Sequence, residues 1–276
     1  MNRTLLQIKL LYDNMGKSEK KVADWLLIHN GEILPLSITE LAEKSDSSEA
    51  TIVRFARRIG FSGYQELKIS LAQEVEKKIA NENITSSDSC YEIFEKVAND
   101  IYISLEKTKM VLSPKALEKC SEAIMNAERI MIFGLGNSAS VALDASHKFL
   151  RAGCNAYAYS DNHMQAIAAS HLSGKDVVIG ISHSGSSKDI VDALKIAKSN
   201  GAVTACITNA GKSPITKVSD IILCTDADET KYNILALNSR IAQLAIIDAI
   251  YYHLICRKNP IGEIENTERA LLSKKY

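Results

Sequence analysis

The sequence predicts two units of different class: an all-α domain at the N-terminus, then an α/β domain whose five-stranded parallel sheet is sandwiched by helices. Three observations carry this. Apolar residues up to about Lys78 recur only at helical spacing, with no strand-like run among them. The stretch Ala80-Asn81-Glu82-Asn83-Ile84-Thr85-Ser86-Ser87-Asp88-Ser89 then loses that period and fills with small polar residues, as a boundary does. From Lys115 onward, short apolar runs alternate with helical patterns. Strands separated by one-helix spacings imply parallel crossovers and a sheet covered on both faces. These shifts divide the chain into 1–78, a linker and bridging helix over 79–106, 107–258, and a tail over 259–276.

In the first unit, Leu5, Ile8, Leu11 and Met15 share one helical face, and Val22, Trp25 and Leu26 continue a second helix after Gly16. Ser37-Ile38-Thr39-Glu40 is a capping box, with Ser37 accepting from the N3 amide and Glu40 reaching back; it opens a short helix through Lys44. After Ser45-Asp46-Ser47, Ser48 caps another helix that runs to Ile59 and stops at Gly60. Two short helices joined by a tight turn match a helix-turn-helix. At 100° per residue Ile52, Phe55 and Ile59 fall together, and Ala50, Arg54, Arg57 and Arg58 fall opposite. Such an arginine face fits a major groove, with guanidinium groups on phosphates or guanine edges and hydroxyls from Ser48 and Thr51 near the helix start. Three arginines on a surface helix are otherwise a solvated face.

A bridging helix, roughly Tyr91 to Leu112, leads into strands expected at Arg129 to Phe133, Ala156 to Tyr159, Asp176 to Ile181, Ala202 to Ile207 and Asp220 to Cys224. A long final helix near Asn233 to Cys256 would present Ile234, Leu237, Ile241, Leu244, Ile247 and Tyr251 as one stripe. The chemistry gathers in two loops. Gly180-Ile181-Ser182-His183-Ser184-Gly185-Ser186-Ser187 crowds hydroxyls between a buried strand and a helix with apolar Ile190, Ala193, Leu194 and Ala197. A helix N-terminus carries free N–H groups and roughly +0.5 of an elementary charge, which suits an anion. The alternative is that Ser and Gly only make the turn and cap the helix. Gly134-Leu135-Gly136-Asn137-Ser138-Ala139-Ser140 is a second glycine turn entering a helix. It fits G-x-G-x-x-A, but a dinucleotide fingerprint also wants an acid about 20 residues on. Cys154, Asn155 and Ala156 stand there, Asp161 comes late, and that reading leaves the other serine loop unexplained.

The 276 residues carry a formal net charge of zero, so no global field marks a nucleic-acid or membrane partner, and any such site is a local patch. The six cysteines are scattered without a C-x-x-C pair and read as reduced core thiols of a cytoplasmic protein. The start leads into an amphipathic pattern and not a secretory leader, and Gln243, Asp248 and His253 break the most apolar late stretch, so no membrane association is expected. Nothing in the sequence asks for a cofactor or a metal.

The order Ser37-Ile38-x-Glu40-Leu41-Ala42, Ser48-x-x-Thr51-Ile52-x-Arg54-Phe55 and Ile59-Gly60-Phe61-x-Gly63-Tyr64 resembles the helix-turn-helix of the RpiR family of bacterial regulators, over about Met1 to Glu76. Ser47 departs from it, since family members usually place an apolar residue there. Ser182-x-Ser184-Gly185-x-Ser187 with the first glycine loop resembles the sugar isomerase (SIS) domain behind that helix-turn-helix, over about Lys107 to Arg257. The resemblance implies that Ser182, Ser184 and Ser187 hold a phosphate with Ser138, and more weakly Ser140. His163, after the second strand, would face the sugar. Arg240 and Glu229, on and before the last helix, are lesser candidates. It further implies a homodimer or higher assembly on a palindromic double-stranded operator with half-sites about one turn apart or a multiple of that. The function expected is a transcriptional regulator of sugar or amino-sugar metabolism controlled by a phosphosugar effector, without catalysis. A sugar-phosphate isomerase-type enzyme is the rival, with Asp161, His163 and Glu229 as the only nearby bases.

Overall fold

The computed structural model describes residues 3–29, 33, 36–76, 84–227, 237–258, 269–270 and 272. The chain divides into two compact units, one built on Met1–Tyr102 and the other chiefly on Ile103–Ala210, Ile215–Ala227 and the last helix.

The first unit holds helices α1 (Arg3–Leu11), α2 (Lys17–Ile28), α3 (Ile38–Lys44), α4 (Glu49–Arg58) and α5 (Tyr64–Glu76). Ile8, Val22, Leu26, Leu41, Ile52, Phe55, Leu67 and Leu71 are fully buried in one core. Each such side chain contributes roughly 1.5–3 kcal/mol over leaving it exposed. One expectation is corrected: α1 ends at Leu11, and a single 3-10 turn, Tyr12–Asn14, brings Met15 into the core from outside the helix. The capping box at α3 is present, with Ser37 Oγ accepting from the Glu40 N–H at 3.2 Å and Glu40 Oε2 accepting from the Ser37 N–H at 2.8 Å. The end of α4 is a Schellman closure: the Phe61 N–H donates to the Ala56 carbonyl at 3.0 Å and the Gly60 N–H to Arg57 at 3.1 Å. The Tyr64 hydroxyl then donates to the buried Leu36 carbonyl at 2.8 Å, which fixes where α5 begins.

Helix α6 (Cys90–Val111) leads to the second unit, where α7 (Pro114–Asn126) starts with Ser113 as cap and Pro114 at a position whose N–H needs no partner. Then β1 (Arg129–Gly134), α8 (Asn137–Arg151), β2 (Ala156–Tyr159), α9 (Asn162–Ser170), β3 (Asp176–Ile181), α10 (Lys188–Ser199), β4 (Val203–Asn209), α11 (Pro214–Val218), β5 (Ile221–Thr225) and α12 (Leu237–Lys258) follow. The strands form one parallel sheet in the order β2-β1-β3-β4-β5. Alternation along β1 sends Ile130 and Ile132 into a core with α7, α8 and α12, and Met131 and Phe133 into a second core with α9, α10 and α11. All six residues of β3 are buried, as befits the centre of a sheet covered on both faces.

The final helix corrects the expected stripe. Its buried side is Ala242, Ile246, Ile247, Ile250 and Leu254, while Ile241, Leu244 and Tyr251 lie half-buried at its flank. Apolar residues surround much of this helix, so periodicity alone fixes its phase poorly. Ile234 and the side chain of Leu237 lie outside the described residues. The cysteines are also only partly as expected: Cys120, Cys154 and Cys206 are buried, but Cys90 and Cys256 are exposed. Burial pushes the Cys120 and Cys206 thiols up to about 12, which keeps them protonated at neutral pH.

Candidate functional site

Two groups of residues qualify, one in each unit. In the second unit the sheet order makes a switch point. After β1 the chain leaves through α8 toward β2, and after β3 it leaves through α10, on the other face, toward β4. Ligands of open α/β sheets sit at the carboxyl ends of the strands at such a point. The register Gly134↔Ile181 makes the tips of β1 and β3 immediate neighbours, so Leu135-Gly136 and Ser182–Ser187 start side by side.

Backbone geometry shapes both loops. A Cβ on Gly134 would lie 2.4 Å from the Ser138 carbonyl oxygen, so only glycine lets the first turn of α8 approach the strand this closely. Gly185 has φ +60°, within the left-handed region, and turns the chain between Ser184 and α10. The second loop is held from behind by β4: the Ser182 N–H donates to Ile207 at 3.1 Å and the Asn209 N–H to the His183 carbonyl at 3.0 Å.

The hydroxyls do not cap the helix they precede. Ser187 is the N-cap residue of α10, yet its side chain makes no capping bond and lies 3.0 Å from the Oγ of buried Ser182. Gly136, at the N-cap of α8, has no side chain to cap with. Neither N-terminus is therefore closed by a side-chain acceptor: at α8 the Ser138 and Ala139 N–H groups turn back to the Leu135 and Gly136 carbonyls, both at 3.1 Å, and at α10 Ser187 pairs with Ser182 in place of capping, so both helix dipoles face the neighbouring strand tips, as suits an anion. Ser184 is half-buried, and its Oγ accepts from the Ser186 N–H at 3.3 Å. Ser138 is half-buried in the first turn of α8. Ser140 is exposed and donates to the Asn137 carbonyl at 2.7 Å, which occupies its hydroxyl within its own helix.

His163 is exposed in the first turn of α9, while the Asp161 carboxylate caps that helix by accepting from the Met164 N–H at 2.9 Å. Arg240 is half-buried on α12 and, among the described residues, forms no ion pair and no hydrogen bond to either loop. Glu229 lies outside the described residues. One residue went unnoticed in the sequence. Gln165 is fully buried and its Nε2 donates to the carbonyls of Gly134 at 3.2 Å and Tyr159 at 2.8 Å, joining the tips of β1 and β2. A single long polar residue on the inward phase of a short helix was the signal.

In the first unit, Ser48 Oγ accepts from the Thr51 N–H at 3.2 Å and caps α4. Ala50, Arg54, Arg57 and Arg58 are exposed, with Ile52, Phe55, Ala56 and Ile59 buried beneath. Thr51 departs from the expected groove contact: it is buried, and its hydroxyl lies 2.9 Å from that of Ser48, bracing the cap. Arg57 Nε donates to the Ser62 carbonyl at 3.4 Å. Ser47 replaces apolar packing with a hydroxyl pair, 2.9 Å from Ser45 Oγ, which itself donates to the Leu41 carbonyl at 2.6 Å.

Comparison with known proteins agrees with both units. Residues 2–78 match the model of the helix-turn-helix domain of the rpiR family, and residues 123–252 match that of the SIS domain. An uncharacterized HTH-type transcriptional regulator of Caldanaerobacter subterraneus is 37% identical over 100% of this chain and 99% of its own length. The HTH-type transcriptional regulator HexR of Pseudomonas aeruginosa is 34% identical over 91% of this chain and 88% of its own. Among solved structures, the Vibrio vulnificus NanR protein complexed with ManNAc-6P shares the fold with a TM-score of 0.84, at 24% identity over 99% of this chain and 100% of that one. The chain belongs to the RpiR family of HTH-type transcriptional regulators, with a SIS domain behind its helix-turn-helix.

Proposed function

We propose that this regulator binds double-stranded operator DNA through residues 1–78 and that a phosphosugar held by residues 107–258 sets its operator affinity. One observation carries the effector half: two helix N-termini without side-chain caps stand at the adjacent tips of β1 and β3, beside the paired hydroxyls of Ser182 and Ser187. Ser138, Ser182, Ser184 and Ser187 hold the phosphate, Ser140 contributes least, and His163 faces the sugar from α9. Arg240 and Glu229 remain secondary candidates for the sugar end. NanR was solved with ManNAc-6P, which makes an N-acetylhexosamine 6-phosphate the first effector to try. Ser48, Ala50, Arg54 and Arg57 supply the outward DNA-reading face, while Arg58, expected beside them, spends its guanidinium on Glu19 and the Asn14 carbonyl.

The protein works as a cytoplasmic homodimer or higher assembly, so that two recognition helices meet a palindromic site. Catalysis is not required. An effector that prefers one state of the DNA-binding heads by 100-fold shifts the equilibrium by ~2.7 kcal/mol. The Asp161 carboxylate, one base an isomerase would use, is already occupied as the cap of α9.

The test is a gel-shift titration on a duplex selected by the full-length protein, in the presence of hexose, pentose and N-acetylhexosamine phosphates, with product analysis of the same mixtures. A change in DNA retention by one phosphosugar without turnover supports the reading. Turnover, or retention indifferent to every phosphosugar, overturns it.

A further inference from the structure

We infer that Glu19 is a positioning residue for DNA sequence readout, drawing the Nε of Arg54 toward the protein by charge so that its Nη edge faces the groove. This rests on reading the arginine face of α4 as the DNA-contacting surface. Glu19 stands in the first turn of α2 and is only 3% exposed. Its Oε2 accepts from the Gly16 N–H at 3.0 Å, and its Oε1 meets Arg58 Nε at 3.2 Å and Arg54 Nε at 3.5 Å. Burial alone would raise its pKa; the Gly16 N–H and the two guanidinium groups outweigh that and hold it below the ordinary 4.5, so it stays ionised.

The two arginines, four residues apart on α4, fare differently. Arg58 is held at both ends, with Nε on Glu19 and Nη1 on the Asn14 carbonyl at 3.1 Å, and acts as a fastener between helices. Arg54 keeps its side chain 63% exposed, and its Nε forms an ion pair with Glu19 at 3.5 Å, longer than the hydrogen bond that Arg58 makes to the same oxygen. A guanidinium is planar and rigid, so a charge that draws one edge inward biases the other outward, and that outward edge is the pair of donors that binds guanine O6 and N7. Glu19 also places a negative charge under the face, which weakens its attraction to phosphate of any sequence. Preorganisation raises discrimination and the charge lowers indifferent binding.

The full-length protein, wild type and Glu19→Gln, is used to select from a random-sequence duplex library, and each is then titrated with the selected duplex and with unselected duplex. In Glu19→Gln the ratio of the two affinities is expected to fall about tenfold, the discrimination of one bidentate pair, while binding to unselected duplex holds or tightens. Arg54→Lys keeps the charge without the fork and should lower the ratio equally, with no further loss in the double variant. A Glu19→Gln ratio equal to wild type, or parallel loss of both affinities in a protein with the wild-type melting temperature, overturns the inference. If Glu19→Gln does not fold, Arg54→Lys must collapse the ratio and Arg58→Lys must leave it within about twofold, or the inference fails. A wild-type protein that selects no sequence would instead remove the DNA-reading surface itself.

Discussion

At the scale of single residues, hydrogen-bond partners decide which of the sequence's candidates remain available. Ser182 and Ser187 share one bond, and Ser182 is buried. Ser187→Ala therefore orphans a buried hydroxyl and should destabilise the ligand-free protein by about 1–3 kcal/mol, whereas Ser182→Ala/Ser187→Ala should cost no more than the single change. Denaturant melts of the three proteins check this, and a double variant markedly less stable than Ser187→Ala would contradict the pairing. Ser184→Ala should weaken phosphosugar binding about 10- to 150-fold, the worth of a hydrogen bond to a charged group, with little change in stability. Calorimetric titration measures it. Buried Asp176 gives a pH dependence of stability. Burial alone would raise its pKa, but the Arg129 guanidinium, bidentate at 2.9 and 2.7 Å, and the Ser173 hydroxyl and N–H hold it below the ordinary 3.8. A carboxylate with a depressed folded pKa contributes stability above its unfolded value and loses it as pH falls through the folded one. Melting temperature should thus drop below about pH 4, and the drop should be shallower in Asp176→Asn. An unchanged acid slope in that variant would contradict the assignment.

At the scale of elements, termini matter more than interiors. The start of α3 and both ends of α4 were legible because Ser37, Glu40, Ser48 and Gly60 are chemically specific caps. Ser37→Ala should cost the first unit about 1 kcal/mol, read as a lowered denaturant midpoint. The start of α8 depends on the opposite device, a missing side chain. A methyl on Gly134 would meet the Ser138 carbonyl at 2.4 Å, and backbone has to move to admit it. Gly134→Ala should therefore weaken phosphosugar binding even though it adds no polar group, and wild-type affinity in that variant would show that the first loop takes no part. The phase of α12 was not legible, because a helix apolar on most sides is rotated by what packs against it and not by its own pattern.

At the scale of the whole molecule, the strand order brings two separate serine loops side by side at the carboxyl edge of the sheet: β1 and β3 are neighbours although β2 lies between them in sequence. A ligand bound there at 100 times its dissociation constant adds about 2.7 kcal/mol, expected as a rise of about 5–10 °C in melting temperature. A phosphosugar panel in a thermal-shift assay measures it, and a panel that leaves every melt unmoved would count against that site. No described helix is long and apolar enough to cross a membrane.

The sequence by itself determined the all-α and α/β division, the five strands, the capped helix-turn-helix and the serine loops, because periodicity, caps and glycines are local and act wherever they occur. Only the tertiary structure decided which hydroxyls and charges point outward. Thr51 turned in to brace its cap, Arg58 was drawn down by Glu19 from another helix, and Gln165 reached two strand tips that no spacing connects. These outcomes depend on contacts between segments far apart in the chain, where a buried polar group takes whatever partner the packing brings within reach.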